Sequence, residues 1–166
     1  MKTLLIIDGY NAIYKIPELC AKLDQSLEAA REALAAFVGR WRSTHPEVDC
    51  LIVFDGKDDA TRYGSHTVIG RVRCFFTRTQ SDADDEIIRQ VREHHSARTP
   101  VIVVSDDNYV RNNFRAHGAR IESVSYLVAS PKHQKSRGGK AAPDEKIIDM
   151  KTMGEINKEL RRKYGL

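Results

Sequence analysis

Hydrophobic and polar positions alternate between two periodicities along the chain. Short apolar runs at Thr3–Ile7 (TLLII), Asp49–Phe54 (DCLIVF), Val72–Phe76 (VRCFF) and Pro100–Val104 (PVIVV) have the length of strands buried on both faces of a parallel sheet. Between the first two, Leu27, Ala30, Leu34, Phe37, Val38 and Trp41 recur at helical spacing. Glu28 early and Arg40 and Arg42 late suit the helix dipole, which predicts a helix from about Ser26 to Arg42, stopped by His45-Pro46. Ile87, Ile88 and Val91 give a second apolar stripe on a helix capped by Ser81 or Asp82 and running to about His95. A third helix spans about Asn108 to His117 with Gly118 as its stop, followed by a short strand at Ala119–Ser123 and one more helical turn opened by Ser123 or Ser125.

Residues 57–70 are polar and glycine-punctuated and read as a long irregular loop. Pro131–Pro143 has the composition of a flexible basic loop, and Met153–Tyr164 that of a capped C-terminal helix. The expected organisation is therefore a domain over residues 1–130, with the loop and helix of 131–166 docked on that same domain. Strands alternating with helices indicate an α/β fold, an open and mostly parallel sheet covered by helices on both faces. Such sheets place their sites at the carboxyl ends of the strands.

Composition narrows the class. The 166 residues are 41% hydrophobic and 30% charged, and no apolar run approaches the roughly 18 residues that cross a bilayer. The apolar run after Met1-Lys2 is too short for a signal sequence and ends in Asp8, and Cys20, Cys50 and Cys74 lack metal-ligand or disulfide spacing. A reducing cytoplasm is expected. The formal net charge is only +4, but the signs are segregated: residues 82–86 read DADDE, whereas PKHQKSRGGK at 131–140 carries Lys132, Lys135, Arg137 and Lys140 with no acid.

That segregation directs attention to the strand ends. Asp8 follows the first strand, Asp55 the second, Asp106 and Asp107 the fourth, while Asp82, Asp84 and Asp85 open the helix after the third. Singly, Asp8-Gly9 and Asp55-Gly56 are turn signals, and Asp82, Asp84 and Asp106 are helix caps or first-turn charges. Together they converge on one edge of the sheet. Clustered carboxylates stay ionised only when cations neutralise them, and hard oxygen ligands select Mg²⁺ or Mn²⁺. Two such ions about 4 Å apart can activate water and stabilise both oxygens of a displacement at a phosphodiester. The six histidines show no zinc-ligand spacing. Asn11, three residues beyond Asp8, can orient a ligand or water, and Ser105 can support a carboxylate or a phosphate, although each also reads as a cap. Tyr10, Tyr14 and Tyr63 are candidates for stacking on unpaired bases, with packing as the rival use.

IIDGYN at Ile6–Asn11, VFDG at Val53–Gly56, SDADDEI at Ser81–Ile87 and VVSDD at Val103–Asp107 together resemble the NYN domains, particularly the YacP-like group, within the PIN-like nuclease superfamily. The resemblance covers residues 3–125. It implies a Rossmann-like three-layer αβα sandwich and divalent-metal-dependent endonucleolytic cleavage of RNA to 5′-phosphate and 3′-hydroxyl products, in messenger decay or ribosome-linked RNA turnover. Carried over by position, Asp8, Asn11, Asp84 and Asp106 are the implied catalytic residues, and Asp55 and Asp85 join Asp8, Asp84 and Asp106 as metal ligands. Asp82 stands where YacP-like sequences often have threonine, which leaves capping as its rival role, as for Asp107. Arg71, Arg73, Lys132, Lys135, Arg137 and Lys140 are expected phosphate contacts for RNA, with a solvated charged surface as the alternative.

Two other classes fit parts of the pattern. A non-catalytic RNA- or ribosome-binding module would gain from losing negative charge beside phosphate, against the intact acidic set. A phosphotransfer receiver or phosphatase would use Asp8 or Asp55 as an aspartyl nucleophile, but the first strand lacks a paired acid and no lysine follows the fifth.

Overall fold

The computed structural model describes residues 2–55, 66–77, 80–96 and 99–129. Strand β1 (Thr3–Asp8) leads into helix α1 (Gly9–Lys15), the short helix α2 (Pro17–Cys20), a 3-10 turn at Ala21–Asp24 and the long helix α3 (Leu27–Ser43). Strand β2 (Val48–Asp55) follows, then β3 (His66–Ile69), β4 (Val72–Thr77), α4 (Gln80–Ser96), β5 (Val101–Val104), α5 (Asn108–Ala116), β6 (Arg120–Glu122) and α6 (Ser125–Val128). The six strands form one sheet in the order β3-β4-β2-β1-β5-β6, parallel except for the β3–β4 pair. Helices cover both faces, so the chain is an αβα sandwich.

Strand alternation divides the core in two. Leu5, Ile7, Cys50, Ile52, Phe54, Cys74, Phe76, Ile102 and Val104 face one layer with α1, α2, α3 and α6. Leu4, Ile6, Leu51, Val53, Phe75, Val101 and Val103 face Ile87 and Val91 of α4 and Val110 and Phe114 of α5. Both faces are buried, which is why the strands read as continuous apolar runs.

Two elements differ from expectation. Asp8-Gly9 is not a turn but the start of a helix: the Asp8 carboxylate accepts from the Asn11 N–H at 3.2 Å, and Gly9 is the first helical residue. A Cβ on Gly9 would meet the Phe54 ring at 2.5 Å and the Val53 carbonyl oxygen at 2.9 Å, so the close approach of α1 to β2 requires glycine. The segment expected to be loop up to residue 70 ends in a strand, β3, joined to β4 by the two-residue turn Gly70-Arg71 with both φ positive (54° and 72°). That geometry matches the twist of an antiparallel hairpin. Residues 56–65 of the expected loop, the expected basic loop at 131–143 and the expected C-terminal helix lie outside the described residues, as does the expected docking of 131–166.

Strand order also locates a crevice. After β1 the chain crosses through α1–α3 on one face to reach β2, whereas after β5 it crosses through α5 on the other face to reach β6. The connections leaving the neighbouring strands β1 and β5 therefore diverge. In an open α/β sheet, ligands bind where strand order reverses in this way.

Candidate active site at the sheet edge

Asp8 closes β1 and Ser105 follows β5, so both stand at the point of divergence. The Ser105 side chain is fully buried, and its hydroxyl donates to Asp8 Oδ2 at 3.0 Å while accepting the Asp107 N–H at 3.1 Å. The other Asp8 oxygen caps α1. Asn11, one turn into α1, accepts the Asp106 N–H on its Oδ1 at 2.9 Å. An amide N–H demands an acceptor, so this bond turns the Asn11 oxygen to the β5 loop and its NH₂ group the other way. Asp8 and Asn11 together clamp the loop Ser105–Asp107 to the end of β1.

Asp55 ends β2 with the side-chain parity of Leu51 and Val53, on the same side of the sheet as Asp8. Burial, and secondarily the Asp55 charge, push the Asp8 carboxyl up to about 7, against the opposing pull of the Asn11 N–H and the Ser105 hydroxyl. Hydrogen bonds from two neutral donors thus do not compensate the burial of this carboxylate among like charges.

The remaining acids have distinct placements. The Asp106 carboxylate accepts the Val124 N–H at 3.3 Å and lies 3.9 Å from Arg111 Nη1. Asp107 caps α5 by accepting the Tyr109 N–H at 2.8 Å, the capping use foreseen as its alternative. Asp82, Asp84 and Asp85 sit in the first turns of α4, which packs on the Asp8 side of the sheet; Asp85 is exposed, and the side chains of Asp82 and Asp84 lie outside the described residues. Among the described residues, no three His, Cys, Asp or Glu side chains are grouped closely enough to hold a metal ion together.

Arg71 and Arg73 lie at the amino end of β4, with Thr77 at its carboxyl end. Four residues of strand, roughly 13 Å, separate Arg73 from the acidic edge, so the structure does not bring these arginines to the site. Lys132, Lys135, Arg137 and Lys140 fall outside the described residues, as does Tyr63. Tyr10 is buried and Tyr14 half-buried in the core layer.

Arg31 is a support of the site that the residue pattern did not single out. It is a buried cation on α3 whose Nε donates to the Tyr10 hydroxyl at 3.1 Å; its Nη2 donates to the same oxygen, and its Nη1 lies 3.4 Å from Glu28 Oε2. The guanidinium carbon stands 5.6, 5.8 and 5.2 Å from the ring centres of Tyr10, Phe54 and Phe76. Arg31 thereby ties α3 to Tyr10, between Asp8 and Asn11. The detectable signal was a cation inside the helical stripe Leu27, Ala30, Leu34 and Val38.

The YacP-like NYN domain model matches residues 5–164. The chain belongs to that family. A crystal structure of a mutant of Rae1 (YacP) from Bacillus subtilis matches with a TM-score of 0.63 and 25% identity, covering 76% of this chain and 72% of the other. A second Rae1 (YacP) crystal structure from the same organism matches with a TM-score of 0.59 and 21% identity, over 98% of this chain and 84% of the other, a likeness of fold. No curated protein matches the sequence. The family is a nuclease-type domain family, and the fold expected from the four motifs is the one observed. No helix among the described residues is long and apolar enough to cross a membrane.

Proposed function

We propose that the chain is a divalent-metal-dependent endoribonuclease, acting in the cytoplasm on single-stranded or flexible RNA, including RNA engaged with ribosomes. The observation that carries this reading is Asp8: a half-buried carboxylate at the strand-order reversal, fixed by Ser105 and Asn11, whose charge is opposed by its own surroundings. A hard divalent cation fits such a position in charge and in donor type, because oxygen ligands of net negative charge gain from it what neutral donors leave uncompensated. Asp8 and Asp55 would hold Mg²⁺ or Mn²⁺ with Asp84, whereas Asp85 and Asp106, which the structure does not group with Asp8 and Asp55, would reach the metal only through bound water. When bound, the metal supplies a water acidified toward neutrality and neutralises charge on the phosphate.

The chain's own groups then divide the work. Ser105 and the Asn11 N–H hold the Asp8 carboxylate in one orientation, and the Asn11 side chain fixes the Asp106 backbone beside it. Preorganisation of this kind keeps charged oxygens aimed where charge develops at phosphorus. Hydrolysis adds the oxygen of water to phosphorus and breaks the bond to the 3′ oxygen, which leaves as a 3′-hydroxyl and yields a 5′-phosphate. No side chain forms a covalent bond to the substrate.

End-labelled RNA incubated with the full-length protein and Mn²⁺ should be cut internally to 5′-phosphate ends, with EDTA stopping the reaction and Asp8→Asn lowering the rate at least about a thousandfold. RNA binding without cutting under every metal condition would favour the non-catalytic binding module instead. Cleavage unchanged in Asp8→Asn would refute the site.

A further inference from the structure

Of the three tyrosines that sequence alone offered as base platforms, Tyr63 lies outside the described residues, Tyr10 is 6% exposed and Tyr14 is packed against the core. Tyr109 presents its ring. It is 67% exposed, and among the described residues it is the most exposed of the large hydrophobic side chains. It stands in the first turn of α5, two residues after Asp107, whose own N–H is bound by the Ser105 hydroxyl that donates to Asp8. Its backbone N–H is bound by the Asp107 cap, and the following Val110 is buried against the sheet, so the start of α5 is pinned from two directions. At about 100° per residue, Tyr109 and Arg111 flank Val110 on opposite sides, and Arg111 is the flank that approaches Asp106.

We infer that Tyr109 is a stacking platform for an unpaired base of the RNA, next to the phosphodiester held at the acidic edge. The inference rests on the endoribonuclease reading and adds a substrate feature to it: an unpaired nucleotide beside the scissile bond. An exposed aromatic ring gains little from water, whereas a base offers a π-face of any sequence, worth about 1–3 kcal/mol. The pinned backbone lowers the ordering cost of that contact. A duplex keeps its bases stacked on one another, so the platform selects single-stranded or looped RNA without reading its sequence.

The test uses the full-length chain carrying Asp8→Asn, so that binding is read without cutting, and a short fluorescein-labelled single-stranded RNA followed by anisotropy. Adding Tyr109→Ala should raise Kd by about 5- to 150-fold, with Tyr109→Trp or Tyr109→Phe restoring it and Tyr109→Leu failing to. The melting temperature should not move, because the ring is exposed. In an RNA series with a single abasic position moved along the strand, the difference in Kd between the forms with and without Tyr109→Ala should vanish at one position. An unchanged Kd in Tyr109→Ala, or full recovery with leucine, overturns the platform while leaving the nuclease reading intact. Absence of RNA binding by every form, and by the chain with native Asp8 in Mn²⁺, overturns both.

Discussion

Two ionisable groups, Arg31 buried and Asp8 half-buried, stand on either side of the same strand ends, and their surroundings treat them in opposite ways. Arg31 lies in the layer of α1–α3, where three aromatic faces, the Tyr10 hydroxyl and Glu28 all favour a cation. Asp8 lies one residue from that layer, but its carboxylate turns to the side of α4 and α5, where burial and Asp55 both disfavour its charge. Phe54 and Asp55 repeat the contrast on β2: one ring beneath Arg31, one acid beside Asp8. A compensated charge stabilises the fold. An uncompensated one is a cost that folding alone does not explain, and on the proposed reading a ligand of opposite charge would offset it.

The largest way to break this contrast is through pH. The Asp8 pKa rises from 3.8 to about 7 on folding, so between these values the folded chain binds more protons than the unfolded chain. Stability therefore falls as pH rises from about 4 to about 7, and the loss is fully present above 7. At about 1.4 kcal/mol for each tenfold change in proton affinity, it is bounded at about 4 kcal/mol. In EDTA at pH 8, Asp8→Asn should accordingly be more stable than the native chain by up to that amount in urea denaturation, and the two should converge near pH 4. A less stable Asn variant at pH 8 would place Asp8 among the compensated charges.

Arg31 gives the converse. Arg31→Ala empties a space among three rings and should cost about 3 kcal/mol, whatever the pH between 5 and 9. Arg31→Met refills most of it with apolar atoms and should cost under about 1.5 kcal/mol, because a buried charge replaced by a well-packed apolar chain is often tolerated. Chemical denaturation of both variants checks the pair. Equal losses in the two would mean that charge, not packing, holds α3 to Tyr10.

Much of this arrangement was legible in the residue pattern. The four long strands, α3, α4 and α5 followed from their periodicity, and the sandwich from their alternation. Helix α1 was hidden because Asp-Gly serves turns and helix starts equally, and Pro17 interrupts the apolar series that runs from Tyr10 through Ile13 and Ile16 to Leu19. Strand β3 was hidden because its burial is incomplete: it is an edge strand, and its exposed Val68 leaves no continuous apolar run. At the site, Asp8 and Asp55 were identified from their place after strands and Asn11 from the family resemblance, but the bonds that join them depend on pairs separated by 95 and 97 residues, Asn11 with Asp106 and Asp8 with Ser105. No local pattern encodes those. Tyr109 was passed over for a related reason, since exposure is a property of the folded surface.

On the proposed reading, Asp8 would serve a divalent cation. Calorimetric titration of Mn²⁺ into the metal-free, full-length protein at pH 6.5, repeated in buffers of different ionisation enthalpy, tests this directly. Saturable binding accompanied by proton release is expected, because the metal competes with the proton on Asp8, with at least a tenfold weaker affinity and no such release in Asp8→Asn. Binding of equal strength and equal proton release in the native and Asp8→Asn proteins would contradict it.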